Sequence, residues 1–168
     1  MGLKFADLLD ACNRTALKLE FRDGYMTEDP GYKAWEAGNV DAAIAAYRDH
    51  SERMRAAVQR GVVIKRVRVV SVPVSRYIRF EHAVTDAVNI AAGELIRWLP
   101  RREASDLALP GNDAWIFDDR VVQFGHFAGD GSFVANEVTE APEAVKLCSS
   151  AFSAAWARAV DHSDFSLS

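Results

Sequence analysis

The chain has 168 residues, of which 49% are hydrophobic and 26% charged, and its formal net charge is −4. Such a composition fits one globular domain over residues 1–168 and excludes a disordered chain, a collagen-like repeat and a disulfide scaffold. No apolar run approaches the roughly 20 residues that cross a bilayer, and Lys4, Asp7 and Asp10 fall where a secretory signal would be apolar, so no membrane association and a cytoplasmic location are expected.

Leu3, Phe5, Leu8, Leu9 and Cys12 recur at helical spacing over 3–12, and Leu17, Leu19 and Phe21 alternate with charges over 15–22. A short helix leading into a strand is expected. Residues 23–39, dense in Gly, Asp and Pro, read as a loop with one turn of helix around Trp35, placed to cover a pocket. Asn39 is an N-cap for a single helix carrying Val40, Ile44, Tyr47, Met54 and Val58 to a stop at Gly61. The β-branched run 62–73 is a strand of the main sheet, closed by Pro73. Ser75 caps a helix over 75–92, although Tyr77 to Phe80 also suits a strand. Residues 94–100 read as a strand and 101–112 as a loop. In 114–127 an Asp118-Asp119-Arg120 turn joins two apolar runs, and a second turn at Gly129 to Gly131 leads to 132–139, which together make a β-meander. Pro142 opens a last helix whose stripe of Val145, Cys148, Phe152, Trp156 and Val160 runs to about Asp161. The fold class expected is α/β, a mixed sheet with helices packed on it.

The charges are distributed unevenly. Residues 1–52 hold 6 Lys and Arg against 10 Asp and Glu, residues 53–102 hold 11 against 3, and residues 103–168 hold 3 against 11. A basic middle between acidic flanks is either neutralised inside the fold or forms a face for a phosphate, a nucleic acid or an acidic partner. The acidic total argues against direct binding of duplex DNA; if nucleic acid is bound, Arg66, Arg68, Arg76 and Arg79 are the candidates.

Few constellations point to chemistry. His50, His82, His126 and His162 lack metal-site spacing, Cys12 and Cys148 read as buried free thiols, and no nucleophile elbow is present, so neither metal nor cofactor is expected. Gly125, Gly129 and Gly131 lie between strands and do not open a helix, which suits hairpins and not a dinucleotide loop. The cluster Arg76, Tyr77, Arg79, Glu81 and His82 either ligates an anion, with Glu81 orienting an arginine, or is a solvated face. Trp115 and Phe117 are core or rim, and a rim beside Arg79 and Arg97 would stack a ligand ring; Trp98 and Trp156 are assigned to the core.

The stretches TALKLEFRDGY (15–25), RGVVIKRVRVVSVPVSRYIRFEH (60–82), and NIAAGELIRWLPR with DAWIFDD (89–101 and 113–119) resemble a family of small actinobacterial proteins known as a domain of unknown function. Members of that family are often encoded beside helix-turn-helix regulators. The resemblance spans nearly the whole chain and implies an accessory or regulatory protein, with a helix-turn-helix transcriptional regulator as partner.

A more distant similarity is to one half of the phospholipase D superfamily. It rests on the helix ending at Arg60-Gly61-Val62 before a strand, the later helix and strand, Asp118-Asp119 before a hairpin, and the final helix. That superfamily carries His-x-Lys-x-x-x-x-Asp, in which His accepts the phosphoryl group, Lys holds phosphate charge and Asp supports the His. Counted back from Asp118, the His position is Gly111 and the Lys position Asp113; counted from Asp119 they are Asn112 and Ala114. None of these supplies a nucleophilic imidazole or a cation.

The leading expectation is therefore a non-catalytic accessory module that acts by protein contact, including a homodimer, or by binding a small anionic ligand. The candidate ligand-binding residues are Arg76, Tyr77, Arg79, Glu81, Asn89, Arg97, Trp115 and Asp118. The rival is an enzyme with a carboxylate base in a pocket under residues 23–39, lined by Glu20, Arg79, Glu81, Asn89 and Asp118. A deep pocket in which Glu20 and Glu81 converge would favour the rival, and a filled crevice the module.

Overall fold

The computed structural model describes residues 3–167. Its strands are β1 (Thr15–Glu20), β2 (Val63–Val70), β3 (Leu95–Pro100), β4 (Asp113–Phe117), β5 (Val121–Phe127), β6 (Phe133–Thr139) and β7 (Val160–Asp161). The helices are α1 (Phe5–Ala11), α2 (Pro30–Glu36), α3 (Val40–Ala45), α4 (Arg48–Gln59), α5 (Arg76–Val88) and α6 (Pro142–Arg158). All seven strands join one mixed sheet in the order β6-β5-β4-β1-β2-β3-β7. Central β1, β2 and β3 run parallel, so their connections must cross over, and α2 to α4 and then α5 lie in those crossovers. β4, β5 and β6 form the antiparallel meander. The α/β fold class holds.

One face of the sheet is covered by α6. Cys148, Ala151, Phe152 and Ala155 of that helix pack on Leu19, Val67, Val69, Leu99, Ile116 and Val122, which are the outward alternates of five strands. On the other face Leu8, Leu9, Met54 and Ala57 of α1 and α4 meet Ala16, Ile64, Trp115 and Phe117. Both thiols are buried and free, and among the described residues no helix is long and apolar enough to cross a membrane.

Several local signals act as the side chains suggest. The Asn39 side chain accepts from the Ala42 amide, the Ser75 hydroxyl from the Ile78 amide, and Gly61 takes a positive φ of 96° beyond α4. Three expectations need correction. The helix from Asn39 to Gly61 is two helices, broken at Ala46 and Tyr47. There the Tyr47 hydroxyl bonds to Asp29 and its ring lies so close to Gly31 that an added Cβ would sit 2.5 Å from it. The last helix stops at Arg158 and the chain then adds the two-residue strand β7 to β3, where Arg97 holds Asp161 at 2.8 Å. Trp156 is a half-buried rim residue and not core, with Lys65 and Arg97 over its ring at 5.0 and 4.4 Å.

The basic middle is paired with the acidic flanks. Arg53 meets Asp10, Arg76 meets Glu36, Arg97 meets Asp161 and Arg101 meets Asp23, while Arg66 and Arg68 meet Glu20 inside the fold.

The Asp118-Asp119 turn is tied back to the start of β1. Asp118 and Asp119 have φ of 53° and 54° in the three-residue connection 118–120, across which Phe117 pairs with Val121. The Asp118 carboxylate accepts from the amides of Asn13, Arg14 and Thr15 at 2.8, 2.7 and 2.9 Å and from the Cys12 thiol at 3.3 Å. Burial alone would raise its pKa, but these donors outweigh it and hold the carboxyl down at about 2. Below its ordinary value of 3.8 this contribution to stability fades as the pH falls through 2. Asp118→Ala is therefore expected to lose about 3 kcal/mol at pH 7, with the deficit shrinking between pH 4 and 2, as read by denaturant unfolding at each pH. An unchanged midpoint at pH 7 contradicts this.

Candidate functional site

Charges at alternate positions of central strands are costly, and here they share one face. The register sets Lys18 of β1 beside Arg66 of β2 and Trp115 of β4, and Glu20 beside Arg68. By alternation Lys18, Glu20, Arg66, Arg68, Asp113 and Trp115 point away from α6. Over them α1, α4 and α5 and the segment from Tyr25 to Asp29 leave a cavity of about 360 Å³. Residues 23–39 do cover a pocket. Asp23 accepts from the Ser71 amide at 2.7 Å and hydroxyl at 2.6 Å, and the Tyr25 hydroxyl donates to Asp113, which pins the segment down.

The cavity floor is a network of ion pairs. Arg66 donates through Nε to Glu94 at 3.0 Å and through Nη1 to Glu20, while its buried Nη2 has no acceptor. The guanidinium sits 5.2 Å from the Trp115 ring centre. Arg68 donates to Thr85 at 2.7 Å, and its Nε lies 3.3 Å from Glu20 and 3.7 Å from Glu81. Glu94, only 1% exposed, also accepts from Asn89 at 2.9 Å and faces the His50 Nε2 at 3.8 Å. Asp113 accepts from the Phe21 amide and the Tyr25 hydroxyl. Glu81 Oε2 accepts no hydrogen bond.

Burial pushes carboxyls up, and only those facing enough donors escape. Burial is outweighed at Glu94 by Arg66, His50 and Asn89, and at Glu20 by Arg66, Arg68 and Lys18, so both are held below the usual carboxylate range. At Glu81 burial dominates; Arg68 and Arg66 draw the value down, Glu20 and Asp113 push it up, and the group settles at about 8. Asp113 is raised by burial and by Glu20 despite Lys18 and its two donors. Lys18 is lowered by burial, only partly offset by Asp113 and Glu20. It forms no hydrogen bond or ion pair with the described residues and rests 5.4 Å over the Trp115 ring.

Of the residues singled out in the sequence, Tyr77, Glu81, Asn89 and Trp115 line the cavity, as does Glu20. Arg76 and Arg79 are exposed on the outer side of α5, with Arg76 on Glu36. Arg97 lies on the α6 face with Asp161 and Trp156, and Asp118 belongs to the turn, so none of these four reaches the cavity. His82 packs on His162 and Trp98 elsewhere, and His126 pairs with Glu137 at 3.0 Å. Lys18, Tyr25, His50, Glu94 and Asp113 are site residues the sequence reasoning did not assemble. The available signal was Lys18-x-Glu20 and Arg66-x-Arg68, two charged pairs at period two inside apolar strands. Glu20 and Glu81 converge on one guanidinium in a deep pocket, the arrangement set out above as favouring acid–base chemistry. Among the described residues no three His, Cys, Asp or Glu side chains group to hold a metal.

Residues 3–167 match the model of a domain of unknown function, DUF6879. The chain belongs to that family. No curated protein sequence matches it. Among solved structures it is similar to Nuc from Salmonella typhimurium, a phospholipase D family member, at 13% identity and TM-score 0.51 over 93% of this chain and 86% of that one. It is also similar to NucT from Helicobacter pylori at 10% identity and TM-score 0.55, over 93% and 87%. The fold of this DUF6879 domain is thus phospholipase D-like. Its Gly111 is exposed ahead of β4, and Asp113 is buried at the cavity floor.

The proton on Glu81 links this site to stability. Its raised pKa favours the folded state most below the ordinary 4.5, and that advantage is lost as the pH rises toward 8. Against Glu81 stand Arg68, Arg66, Glu20, Asp113 and Tyr77, and of these only Asp113 is expected to add to the same slope. Glu81→Gln is expected to flatten the fall in unfolding free energy between pH 5 and 9, as measured by denaturant titration; equal slopes for the two proteins contradict the assignment.

Proposed function

We propose that this domain binds a small anionic molecule in the cavity without catalysis, even though Glu20 and Glu81 converge there, because Glu20 is engaged by both Arg66 and Arg68 and offers no free base. The observation that carries the proposal is Lys18, a cation on a central strand that faces the cavity and lacks an ion-pair partner among the described residues. Arg66 and Arg68 neutralise Glu20 and Glu94, Glu81 holds its proton at neutral pH, and both oxygens of Asp113 are occupied. An incoming anion meets the unpaired Lys18 amino group and the edge of Arg66, with aromatic rings as walls. The absence of an imidazole at Gly111 and of a cation at Asp113 supports binding without phosphoryl transfer through that motif. A regulatory output through a helix-turn-helix partner rests on the sequence resemblance alone.

A lysine drawn out of water without an ion-pair partner costs stability. Lys18→Met is expected to raise the unfolding free energy of the unliganded protein by about 1 kcal/mol. In calorimetric titration the same variant is expected to weaken 4-methylbenzoate and inorganic phosphate at least about tenfold, the worth of one charge-assisted contact. Equal affinities for both proteins, or no binding by either, defeat the proposal.

One observation favours a second reading, acid–base catalysis: Glu81 lines the cavity with a pKa of about 8 and an Oε2 that accepts no hydrogen bond, the nearest donor being Arg68 at 3.7 Å. Turnover of p-nitrophenyl acetate or p-nitrophenyl phosphate that disappears in Glu81→Gln would support it; no turnover by the unmodified protein counts against it.

A further inference from the structure

The cavity is bipolar. At one end Lys18 and Arg66 flank Trp115. At the other, Glu81 stands one helical turn after Tyr77 on the inner side of α5, so the carboxyl and the ring face the cavity together. Tyr77 lies 5.8 Å from Tyr25 and 5.5 Å from Phe80, which surrounds this end with aromatic faces. The charges are also unbalanced. Glu20, Asp29, Glu81, Glu94 and Asp113 are five carboxyls against Lys18, Arg66 and Arg68, and burial, with Glu20 and Asp113 close by, is why Glu81 keeps a proton. A buried carboxyl whose Oε2 accepts no hydrogen bond, with Arg68 only in loose contact at 3.7 Å and aromatic faces around it, is an environment that an alkylammonium fills, since ring quadrupole and carboxylate both attract it.

We infer that the ligand is a small zwitterion, its anionic group on Lys18 and Arg66 and a protonated amine on Glu81 beneath Tyr25 and Tyr77. This rests on the anion-binding reading above and specifies its ligand. The spacing follows from the strand: Glu81 reaches Arg68, two residues along β2 from Arg66, so the two ends lie about 7 Å apart or slightly more. A para-substituted benzene ring spans that length and matches the aromatic walls. Binding the ammonium makes the ionised form of Glu81 the better partner, so its proton is released to solvent and the new carboxylate pairs with the ammonium.

The experiment compares three probes on the full chain by calorimetry: 4-(aminomethyl)benzoate, 4-methylbenzoate and benzylamine. The zwitterion is expected to bind at least about tenfold more tightly than 4-methylbenzoate, with benzylamine weakest, the margin being that of one charge-assisted pair with a ring contact. Its heat is expected to change with the ionisation enthalpy of the buffer, as proton release requires, while that of 4-methylbenzoate is not. In Glu81→Gln the zwitterion should fall to the affinity of 4-methylbenzoate, and in Lys18→Met both should weaken together. If 4-methylbenzoate binds and the zwitterion binds no better, the inference is overturned and anion binding stands. A preference that survives in Glu81→Gln overturns the assignment of the amine to Glu81. If none of the probes binds, the inference falls together with the reading beneath it. The comparison on the unmodified protein decides the matter even where a variant fails to fold.

Discussion

Arg66 holds Glu20 and Glu94 at the same time, and much else in the molecule is arranged around that guanidinium. It ties β1 to β2 and to the residue that enters β3, three segments distant in sequence. The three side chains are almost fully buried, so removing any one strands a charge in a dry interior, a loss of roughly 3–5 kcal/mol for a buried pair. A well-packed apolar floor would serve stability as well or better. The polar floor is therefore weak evidence of a structural role and stronger evidence of a site, because it sets the protonation of Glu81 and leaves Lys18 facing open space.

Legibility in the sequence followed the range of the interaction. Asn39, Ser75, Gly61 and Pro142 act on neighbours within a few residues, and each was readable where it stands, whereas the turn at Asp118 was readable but its ties to Asn13, Arg14 and Thr15 were not. The break at Tyr47 depends on Asp29 eighteen residues away, and β7 exists only because β3 offers an edge, so neither had a local signal. The site shows the same division. Tyr77 and Glu81 are four apart on a helix and share its inner side, whereas Arg76 and Arg79, their sequence neighbours, are turned outward by the helical repeat. Arg97 pairs in register with Val67 and so shares the α6 face of the sheet, while Arg66 and Arg68 at alternate positions point the other way. Clustering in sequence was a poorer guide than period two along a strand.

Membership of a family without assigned function and a likeness to Nuc and NucT at low identity establish a fold and leave the chemistry to the site. At that site the acid Asp113 stands where the resemblance would put a lysine, and the cations come from β1 and β2 instead. His50 brings an imidazole to the cavity wall from α4, but it faces the fully engaged Glu94. The basic middle of the chain is largely accounted for within the fold, since its strand arginines Arg66 and Arg68 are spent on internal carboxylates.

The central claim, that Lys18 anchors an anion in this cavity, is tested most directly by native mass spectrometry of the protein purified from its own host, alongside Lys18→Met prepared identically. The account predicts a small-molecule adduct on the unmodified protein, released on denaturation as an anionic compound and missing from the variant. An adduct retained equally by the variant, or bare masses for both proteins that do not shift with added 4-methylbenzoate, would contradict it.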